Sequence, residues 1–365
     1  MNLRIKEIIQ KLETWAPPVL QEDYDNSGLI CGDANLQCTG AMICLDSTPD
    51  VIQEAIQKGC NLVIAHHPIV FSGIKKLTGK NYIEKALLLA IKNDIAIYAI
   101  HTNLDNVHTG VNRKIGEMLG ISTPSILRSA EGHLLQLSTY VPKEHASTVM
   151  EALFSAGAGA IGNYDNCSFT LDGTGTFRPG EASNPFSGQI GTRSYEAETR
   201  IETILPIWKK DAVFKALVDA HPYEEVAYNF VKLENPLQDT GAGMVGNFEQ
   251  PIATNDLLKK IKSVFGGTIR HTTALNPHIE RIAWCGGSGS FLLKDAIASG
   301  AQAFLTSDFK YHQFFDAEDK IMIIDIGHFE NEQFTMQLIY DYIKDNFPNF
   351  AACLTSVQTN PIHYL

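Results

Sequence analysis

The stretch Leu62-Val63-Ile64-Ala65-His66-His67-Pro68 joins a short apolar run to two adjacent histidines. Four consecutive apolar residues of this kind are typical of a strand that is buried on both faces of a sheet. Adjacent side chains on a strand point in different directions, so the pair can reach two metal ions, or one metal ion and a bound substrate. Two ordinary histidines at a strand end are the alternative, and the pair by itself favours that alternative.

Two similar apolar runs lie before and after the histidine pair in the sequence, and helical patterns separate the runs. Residues 40–45 end at Asp46, and residues 95–100 end at His101. Near-continuous apolar strands separated by helices predict a sheet with substantial parallel character, buried on both faces. Ligands bind beyond the carboxyl ends of such strands. The residues expected at that edge are Asp46, His66, His67, His101 and Asp105.

The middle of the chain contains an internal repeat. Val141-Pro142 and the helical run at 150–156 match Leu205-Pro206 and the run at 214–220, at an offset of 64 residues throughout. Two β-α-β units of this size predict a ferredoxin-like fold. Between them, residues 173–192 are rich in Gly, Ser, Pro and Asn and predict a hairpin or a loop. We therefore expect an inserted domain here.

The α/β pattern resumes after residue 241 and includes a glycine-rich turn. The strand-like run 281–285 leads into Gly286-Gly287-Ser288-Gly289-Ser290, and a helical run follows. Such a turn can present backbone N–H groups to a phosphate. A tight turn that only permits close packing of the helix on the strand is an equally good interpretation.

Two more apolar runs end in polar residues. The run 303–305 leads towards Asp308 and His312, and the run 321–326 leads to His328. If a helix begins near His328, Glu332 lies on the same face four residues later, whereas Glu330 points to the opposite side. The spacing therefore favours Glu332 over Glu330 as the partner of His328.

Together these groups predict a metal site. The adjacent histidines, a strand-end aspartate and the His/Glu pair supply about five nitrogen and oxygen ligands, which suits two divalent ions bridged by a carboxylate and a water. Because no cysteine lies in these loops, an open site for Zn, Mn, Fe or Co is favoured over a closed structural zinc site. His101 and His312 are candidates for supporting the ligands or carrying protons, and an ordinary structural role is the alternative for both.

Composition limits the classes of function. A chain of 365 residues is expected to form two or three domains, and its net charge of −12 argues against nucleic acids and acidic membrane surfaces as partners. The seven cysteines are odd in number and form no C-x-x-C pair, which favours a reducing compartment. The charged, amphipathic start of the chain is unlike a signal peptide, and no apolar run approaches the length of a membrane span. We therefore expect a cytoplasmic protein.

Five motifs, taken in order, resemble a known family. L-V-I-A-H-H-P, H-T-N-L-D, G-G-S-G, T-S-D-F-K-Y-H and G-H-F-E-N-E are similar to motifs of the Nif-three-like dinuclear-metal hexameric proteins, also named GTP cyclohydrolase 1 type 2 homologs. The resemblance covers roughly residues 1–125 and 240–365. The intervening segment, with H-P-Y-E-E-V-A-Y at 221–228, resembles the PII/CutA-like domain of the longer members.

The resemblance implies a fold and a domain order. The fold is a two-lobed α/β core with mixed sheets, interrupted by a ferredoxin-like (PII/CutA-like) α+β domain. The domains are an N-terminal lobe at 1–125, the insert at 126–240 and a C-terminal lobe at 241–365. The resemblance also implies a toroidal homohexamer. In the insert, the turn at 221–225 is expected either to bind a regulator or to contact a neighbouring subunit.

The resemblance also implies the residues of the site. The implied ligands of two divalent ions per subunit, with zinc as first choice and manganese, iron or cobalt as alternatives, are His66, His67, Asp105, His328 and Glu332. We expect Asp105 to bridge the two ions. The residues expected to act in catalysis are His101, Asp308 and His312, and those expected to bind substrate are Gly286, Gly287, Ser288 and Gly289.

Three functions remain open at this point. The first is the ring opening of GTP with release of formate. The second is hydrolysis of a nucleotide or another phosphoester, because a two-metal centre stabilises attacking and leaving oxygens in the same way. The third is a metal-binding or regulatory scaffold without turnover. A ring that threads DNA would need a basic channel, which the acidic composition disfavours.

Overall fold

The computed structural model describes residues 3–365, and their strands form three sheets. The strands are β1 (Gly28–Cys31), β2 (Ala41–Asp46), β3 (Leu62–His67), β4 (Ala96–Ala99), β5 (Ser125–Ser129), β6 (Leu134–Pro142), β7 (Ser168–Phe177), β8 (Ser194–Pro206), β9 (Tyr228–Leu233), β10 (Gly241–Ala253), β11 (Arg270–His271), β12 (His278–Ser288), β13 (Ala303–Ser307), β14 (Met322–Asp325) and β15 (Ala352–Leu354).

The helices are short, and two of those described begin at a side chain that caps the first turn. Thr48 and Asn81 accept hydrogen bonds from the backbone N–H groups of Val51 and Glu84, respectively. Within residues 3–365 no helix is both long and apolar enough to cross a membrane. The helices are α1 (Ile5–Trp15), α2 (Pro49–Gln57), α3 (Tyr82–Lys92), α4 (Thr102–Asp105), α5 (Val111–Leu119), α6 (Ala146–Ser155), α7 (Lys210–Ala220), α8 (Thr254–Phe265), α9 (Leu293–Ala298), α10 (His328–Glu332) and α11 (Thr335–Asn346).

The first sheet contains the histidine pair. Its strand order is β1-β4-β3-β2-β15, in which β15, β2, β3 and β4 run parallel and β1 pairs antiparallel with β4. The first five residues of β2 and of β3 are buried, and side chains of α2 and α3 pack against both strands in one apolar cluster. Because β3 ends at His67, the parallel strands carry both histidines to the carboxyl edge of the sheet.

The second sheet has the order β11-β14-β13-β12-β10-β5. Strands β12, β13 and β14 are parallel, whereas β10, β5 and β11 pair antiparallel with their neighbours. The fully buried Trp284 of β12 donates a hydrogen bond from Nε1 to the carbonyl of Asn112 in α5, at 2.7 Å. This hydrogen bond connects the second sheet to α5.

The third sheet forms the insert. Strands and helices alternate as β6-α6-β7-β8-α7-β9, and the antiparallel sheet has the order β7-β8-β6-β9, which is the ferredoxin-like arrangement. The predicted repeat is visible as two equivalent units, because β6 and β8 each end at a proline that precedes a helix. Apolar residues of α6 and α7 pack on the face of the sheet that carries Leu137, Ile201 and Leu205.

Two compact units result from these sheets. One comprises the residues up to Ser129 together with Asp239–Leu365, and the other comprises Ala130–Gln238. The predicted fold class, a mixed-sheet α/β core interrupted by a ferredoxin-like domain, is confirmed.

The insert begins slightly later than residue 126, because β5 pairs with β10 in the second sheet. Residues 173–192 were predicted to form a hairpin or a loop, and they form a hairpin: residues 173–177 continue β7, which pairs antiparallel with β8, and the rest connects the two strands.

The segment that follows β15 is held by the carboxylate of Glu54 in α2. This carboxylate accepts hydrogen bonds from the hydroxyl of Thr355 and from the backbone N–H of Ser356, and it pairs with Lys58 Nζ at 2.8 Å. Burial by itself would raise the pKa of Glu54, but these partners lower it to about 2. The ionised carboxylate therefore stabilises the folded chain.

We predict that Glu54→Gln lowers the free energy of unfolding in urea by about 2 kcal/mol near neutral pH, because buried hydrogen bonds to a charged group are lost. The folded-state pKa lies below the ordinary value of 4.5, so this stabilisation is present above pH 4.5 and disappears as the pH falls towards 2. Glu280→Gln, at an exposed carboxylate of the same unit, is the control. A difference between wild type and Glu54→Gln that stays constant down to pH 2 would contradict the prediction.

Candidate metal centre

His66, the last fully buried residue of β3, points one ring nitrogen into the interior. Its Nδ1 lies 2.8 Å from the carbonyl oxygen of Ile100. Because a carbonyl only accepts hydrogen bonds, Nδ1 carries the hydrogen and Nε2 presents its lone pair on the other side of the ring. That Nε2 is buried and has no hydrogen-bond partner within residues 3–365.

His67 is oriented by Asp46, which ends the neighbouring strand β2. The Nδ1 of His67 donates to Asp46 Oδ1 at 2.8 Å, and the other oxygen of Asp46 accepts from the hydroxyl of Thr359 at 2.7 Å. The Nε2 of His67 therefore faces away from Asp46, and it lies 2.9 Å from Glu332 Oε2. Ligating histidines in metalloproteins commonly have a carboxylate or carbonyl on the second nitrogen.

His328 and Glu332 occupy the two ends of α10. Four residues apart on this short helix, they face each other, with His328 Nε2 3.0 Å from Glu332 Oε2. The Nδ1 of His328 donates to Asp308 Oδ2 at 2.6 Å. Glu330 accepts instead from the side chain of Asn360, at 3.1 Å. The structure therefore places Glu332, and not Glu330, against His328.

Asp105 ends α4, the single turn of helix that follows β4. Its Oδ1 lies 3.7 Å from His66 Nε2 and has no hydrogen-bond partner in the described part of the chain. Its position is fixed through Asn112, which donates to the backbone carbonyl of Asp105 at 3.0 Å and accepts from the N–H of Gly286 at 2.9 Å. Asn112 thereby connects the ends of the two sheets.

These five side chains form two triads that share one carboxylate. The first triad comprises His66, Asp105 and Glu332, and the second comprises His67, His328 and Glu332. Oε1 of Glu332 lies 3.8 Å from His66 Nε2, while Oε2 contacts the second triad. The geometry thus makes Glu332, rather than Asp105, the residue common to both groups.

The spacing within both triads suits metal coordination. Ligand atoms bound at about 2.1 Å in a tetrahedral site lie roughly 3.4 Å apart. The separations are 3.7 and 3.8 Å in the first triad, and 2.9, 3.0 and 3.3 Å in the second. Only small side-chain movements are therefore needed to bring these ligand atoms to the separations found around a bound metal ion.

Unpartnered polar atoms provide an independent test of this fit. The Nε2 of His66 and the Oδ1 of Asp105 are both buried without a hydrogen bond. A buried polar atom without a partner costs about 1–3 kcal/mol, so such atoms are rare unless they serve an ion or a substrate. The cluster of nitrogen and oxygen donors fits a divalent metal ion.

The electrostatics of the second triad are dominated by Glu332. Its charge is the main reason that the pKa of His328 rises to about 11. Burial opposes the charged form of His67, but the hydrogen bonds to Asp46 and Glu332 raise the pKa of His67 to about 9. Although burial would raise the pKa of Glu332 itself, His328 holds it well below its usual range.

His101 lies beside His66 and His67, but a different carboxylate holds its ring. Its ring is 5.3 Å from that of His66, and its Nδ1 donates to Asp25 Oδ1 at 2.8 Å. Burial lowers the pKa of His101 despite the neighbouring Asp25, so the imidazole is neutral at neutral pH. His101, His66 and His67 also lie close enough together to form a third group of potential ligands.

The glycine-rich loop lies next to the triads, but two of its N–H groups are occupied. Gly286 N–H donates to Asn112, and Gly289 N–H donates to Thr306 Oγ1 at 2.9 Å. At Gly287, which has φ +60°, an added Cβ would lie 2.4 Å from Glu332 Oε1. The absence of a side chain at Gly287 therefore makes room for the shared carboxylate.

The other predicted residues lie in different places. Asp308, at φ +62°, holds His328, as described above. His312 is exposed on the next turn, where its ring stacks on Phe315, and it does not line the cavity that contains the triads.

Cys285 does line that cavity, although no cysteine was expected near the site. Burial raises the pKa of the Cys285 thiol well above its usual value, so it remains protonated.

Three residues that support the site were not predicted from the sequence. Asp25 lies in an early loop, Thr359 lies near the end of the chain, and Asn112 lies within α5. Each acts by hydrogen-bonding a ligand or its neighbour, and no periodic pattern marks such a role. Asp46 was expected at the sheet edge, and it orients His67 there.

A cavity of about 470 Å³ contains both triads. The side chains of Tyr24, Phe71, Tyr82 and Phe291 line it and are partly exposed, each by about half or more. Cavities of this size accommodate small molecules, and the aromatic residues offer faces for a planar ring.

Comparison with known proteins shows which family the chain is similar to. Residues 3–361 match the Duf34/NIF3 (NGG1p interacting factor 3) family. The GTP cyclohydrolase 1 type 2 homolog of Halalkalibacterium halodurans is 35% identical over 364 residues, which cover 98% of each chain. The homolog of Bacillus subtilis is 34% identical over 327 residues, 89% of this chain and 88% of that one.

Solved structures extend the comparison. The Bacillus cereus protein related to NIF3 is similar over 100% of both chains, with a TM-score of 0.88 and 33% identity. CutA from Xylella fastidiosa matches 29% of this chain and 88% of its own length, with 16% identity and a TM-score of 0.23. With a family match over nearly all of its length and relatives above 30% identity, the chain belongs to the Duf34/NIF3 family.

Proposed function

We propose that this protein is a dinuclear metal-dependent hydrolase and that GTP is its substrate. The observation that carries the proposal is the common orientation of three histidines. In His66, His67 and His328, Nδ1 is held by a carbonyl or a carboxylate, and Nε2 points towards Glu332. Imidazoles arranged in this way are preorganised to bind metal ions.

Each triad would hold one divalent ion, with Glu332 serving both. The nitrogen and oxygen donors favour zinc, and they also suit manganese, iron or cobalt. When bound, two such ions supply Lewis acidity and activate water at neutral pH. The names of the relatives suggest GTP ring opening, in which water attacks guanine C8, the five-membered ring opens, and formate leaves.

The protein's own groups would handle protons and orientation. His101 is neutral, and Asp25 occupies its Nδ1, so its Nε2 is free to accept a proton from the attacking water. The aromatic residues at the edge of the cavity would stack on the guanine ring. In the glycine-rich loop, Gly287 and Ser288 line the cavity, and we propose that they contact the phosphates, because the N–H groups of Gly286 and Gly289 are occupied.

We also propose that the chain forms a homohexamer. In the larger unit, Tyr311 and Phe315 are 73% and 66% exposed and contact each other, with ring centroids 5.7 Å apart. Adjacent aromatic side chains in water often mark a protein interface. Light scattering is expected to give six times the chain mass of 40.2 kDa, and Phe315→Ser is expected to shift the mass to smaller species. A monomeric mass for the wild-type protein would contradict the proposal.

The metal content of variants tests the shared role of Glu332. Wild-type protein purified without chelator is expected to contain about two ions per chain. Glu332→Gln should lose most of both ions, whereas Asp105→Asn should lose about one, because Asp105 belongs to the first triad alone. Elemental analysis of the purified proteins provides the measurement.

Glu330→Gln, on the same short helix, is the matched control and should retain the wild-type metal content. If Asp105→Asn lost both ions while Glu332→Gln lost one, Asp105 would be the bridging ligand, as expected from the sequence. If the wild-type protein bound no ion under any loading condition, the proposed metal centre would be wrong.

His101→Gln tests the proton-transfer role. The variant should retain its metal content but release formate from GTP about 10²–10⁴ times more slowly, the usual effect of losing a general base. His312→Gln, at an exposed histidine outside the cavity, should match wild type in both measurements. Loss of metal from His101→Gln would instead identify His101 as a ligand.

The products distinguish the proposed reaction from its alternatives. Formate released by the metal-loaded wild-type protein supports GTP ring opening. Phosphate without formate, from GTP or from simple phosphoesters, would identify a phosphohydrolase. Neither product from a fully loaded protein would favour a metal-binding scaffold and contradict the proposed activity.

A further inference from the structure

A second cavity, of about 650 Å³, lies entirely within the insert. Strands β7 and β8 form one side of it, and the loop 178–187 and the turn at 223–225 form another. We propose that this cavity binds a small organic cation, in which a primary amine is carried on an apolar body. The proposal concerns a site separate from the metal centre and does not depend on the reaction proposed above.

Glu198 of β8 is the central polar group of this cavity. Its side chain is 8% exposed, and its Oε1 accepts a hydrogen bond from the hydroxyl of Tyr223 at 2.8 Å. Burial and this hydrogen bond raise the pKa of Tyr223, so the phenol keeps its proton and donates it. Within residues 3–365, Glu198 Oε2 has no hydrogen-bond partner, which leaves one carboxylate oxygen for a ligand.

Two glycines of β7 leave room beside this carboxylate. An added Cβ at Gly175 would lie 2.0 Å from Glu198 Oε2, so the carboxylate occupies the space that a side chain would fill. Gly173 pairs directly with Glu198 across the two strands, and its Cβ position has no atom within 4 Å. The space next to Glu198 is therefore open to a ligand.

Aromatic rings surround the same region. The ring of Tyr223 lies 6.2 Å from that of Phe177 and 5.9 Å from that of Phe186, measured between centroids. All three side chains line the cavity. Aromatic faces attract cations and also cover an apolar body, so they suit an alkylammonium group better than an anion.

The charges around the cavity favour the same class of ligand. Asp172 is paired with Lys143 at 2.8 Å, and Arg200 is paired with Glu202, so these groups are balanced. The remaining charged side chains that line the cavity are Glu198, Glu224, Glu225 and Arg178. Three carboxylates therefore face one guanidinium, and a cation restores the balance, whereas an anion would be repelled.

Ser187 contributes a further polar atom to the wall. Its Oγ is buried and has no hydrogen-bond partner among the described residues. Buried hydroxyls are normally hydrogen-bonded, so an unpartnered one beside a cavity indicates a polar ligand. Glu198 and Ser187 thus both present acceptors to the cavity, and a primary ammonium group has three N–H donors.

Calorimetric titration of the full-length protein with phenethylamine tests the proposal. We expect saturable binding of one molecule per chain. 2-Phenylethanol has a similar shape without the charge and should bind at least tenfold more weakly, and 3-phenylpropionate, which carries the opposite charge, should not bind. No binding of phenethylamine, or equal binding of the amine and the alcohol, would overturn the proposal.

Two variants locate the binding. Glu198→Gln should weaken phenethylamine binding at least tenfold and remove the preference over the alcohol. Gly173→Leu should block binding by filling the open space, and circular dichroism should confirm that it folds. Glu151→Gln, at an exposed carboxylate of α6, is the control and should bind like wild type. Unchanged binding to both Glu198→Gln and Gly173→Leu would place the amine elsewhere and overturn the proposal.

Discussion

The contact of Glu332 with the surrounding histidines is the interaction on which the proposed metal centre depends. The Nε2 atoms of His67 and His328 are only 3.3 Å apart. If both rings are charged, they repel each other by roughly 5 kcal/mol at an effective dielectric constant of about 20. The buried carboxylate between them offsets this repulsion, and it faces the first triad with its other oxygen. Buried groups hold Glu332 in place, since the neighbouring Asn331 donates a hydrogen bond to the carbonyl of Cys285.

The insert leaves this arrangement intact because of where it joins the core. It enters after β5 and leaves just before β10, and these two strands pair with each other, with Ser129 opposite Gly241. The ends of the insert are therefore adjacent within one sheet, and the two halves of the core meet without it. Insertions at such closely spaced ends are well tolerated, because they add a loop without breaking pairing elsewhere. The insert can consequently carry a binding site of its own.

The chain pattern predicted the fold and the positions of the main polar residues well. Apolar runs form β2 and β3, which end at Asp46 and His67, and β14, which ends three residues before His328, so all three residues lie at sheet edges, as expected of parallel strands. The four-residue spacing also distinguished Glu332 from Glu330. His312 also follows a strand end, but the chain turns there and its side chain is exposed. A strand end fixes where a loop begins, not which of its side chains point inward.

By itself, the sequence determined the α/β core, the ferredoxin-like insert and the family, because hydrophobic periodicity and motif order are local properties of the chain. It also determined which residue types are available to bind a metal ion. Only the tertiary structure decided that Glu332 is shared between two triads and that Asp46, Asp25 and Asn112 support them. It also placed Glu198 beside the open space at Gly173. These relations depend on distances between residues far apart in the chain, which are set by sheet register and packing rather than by local sequence.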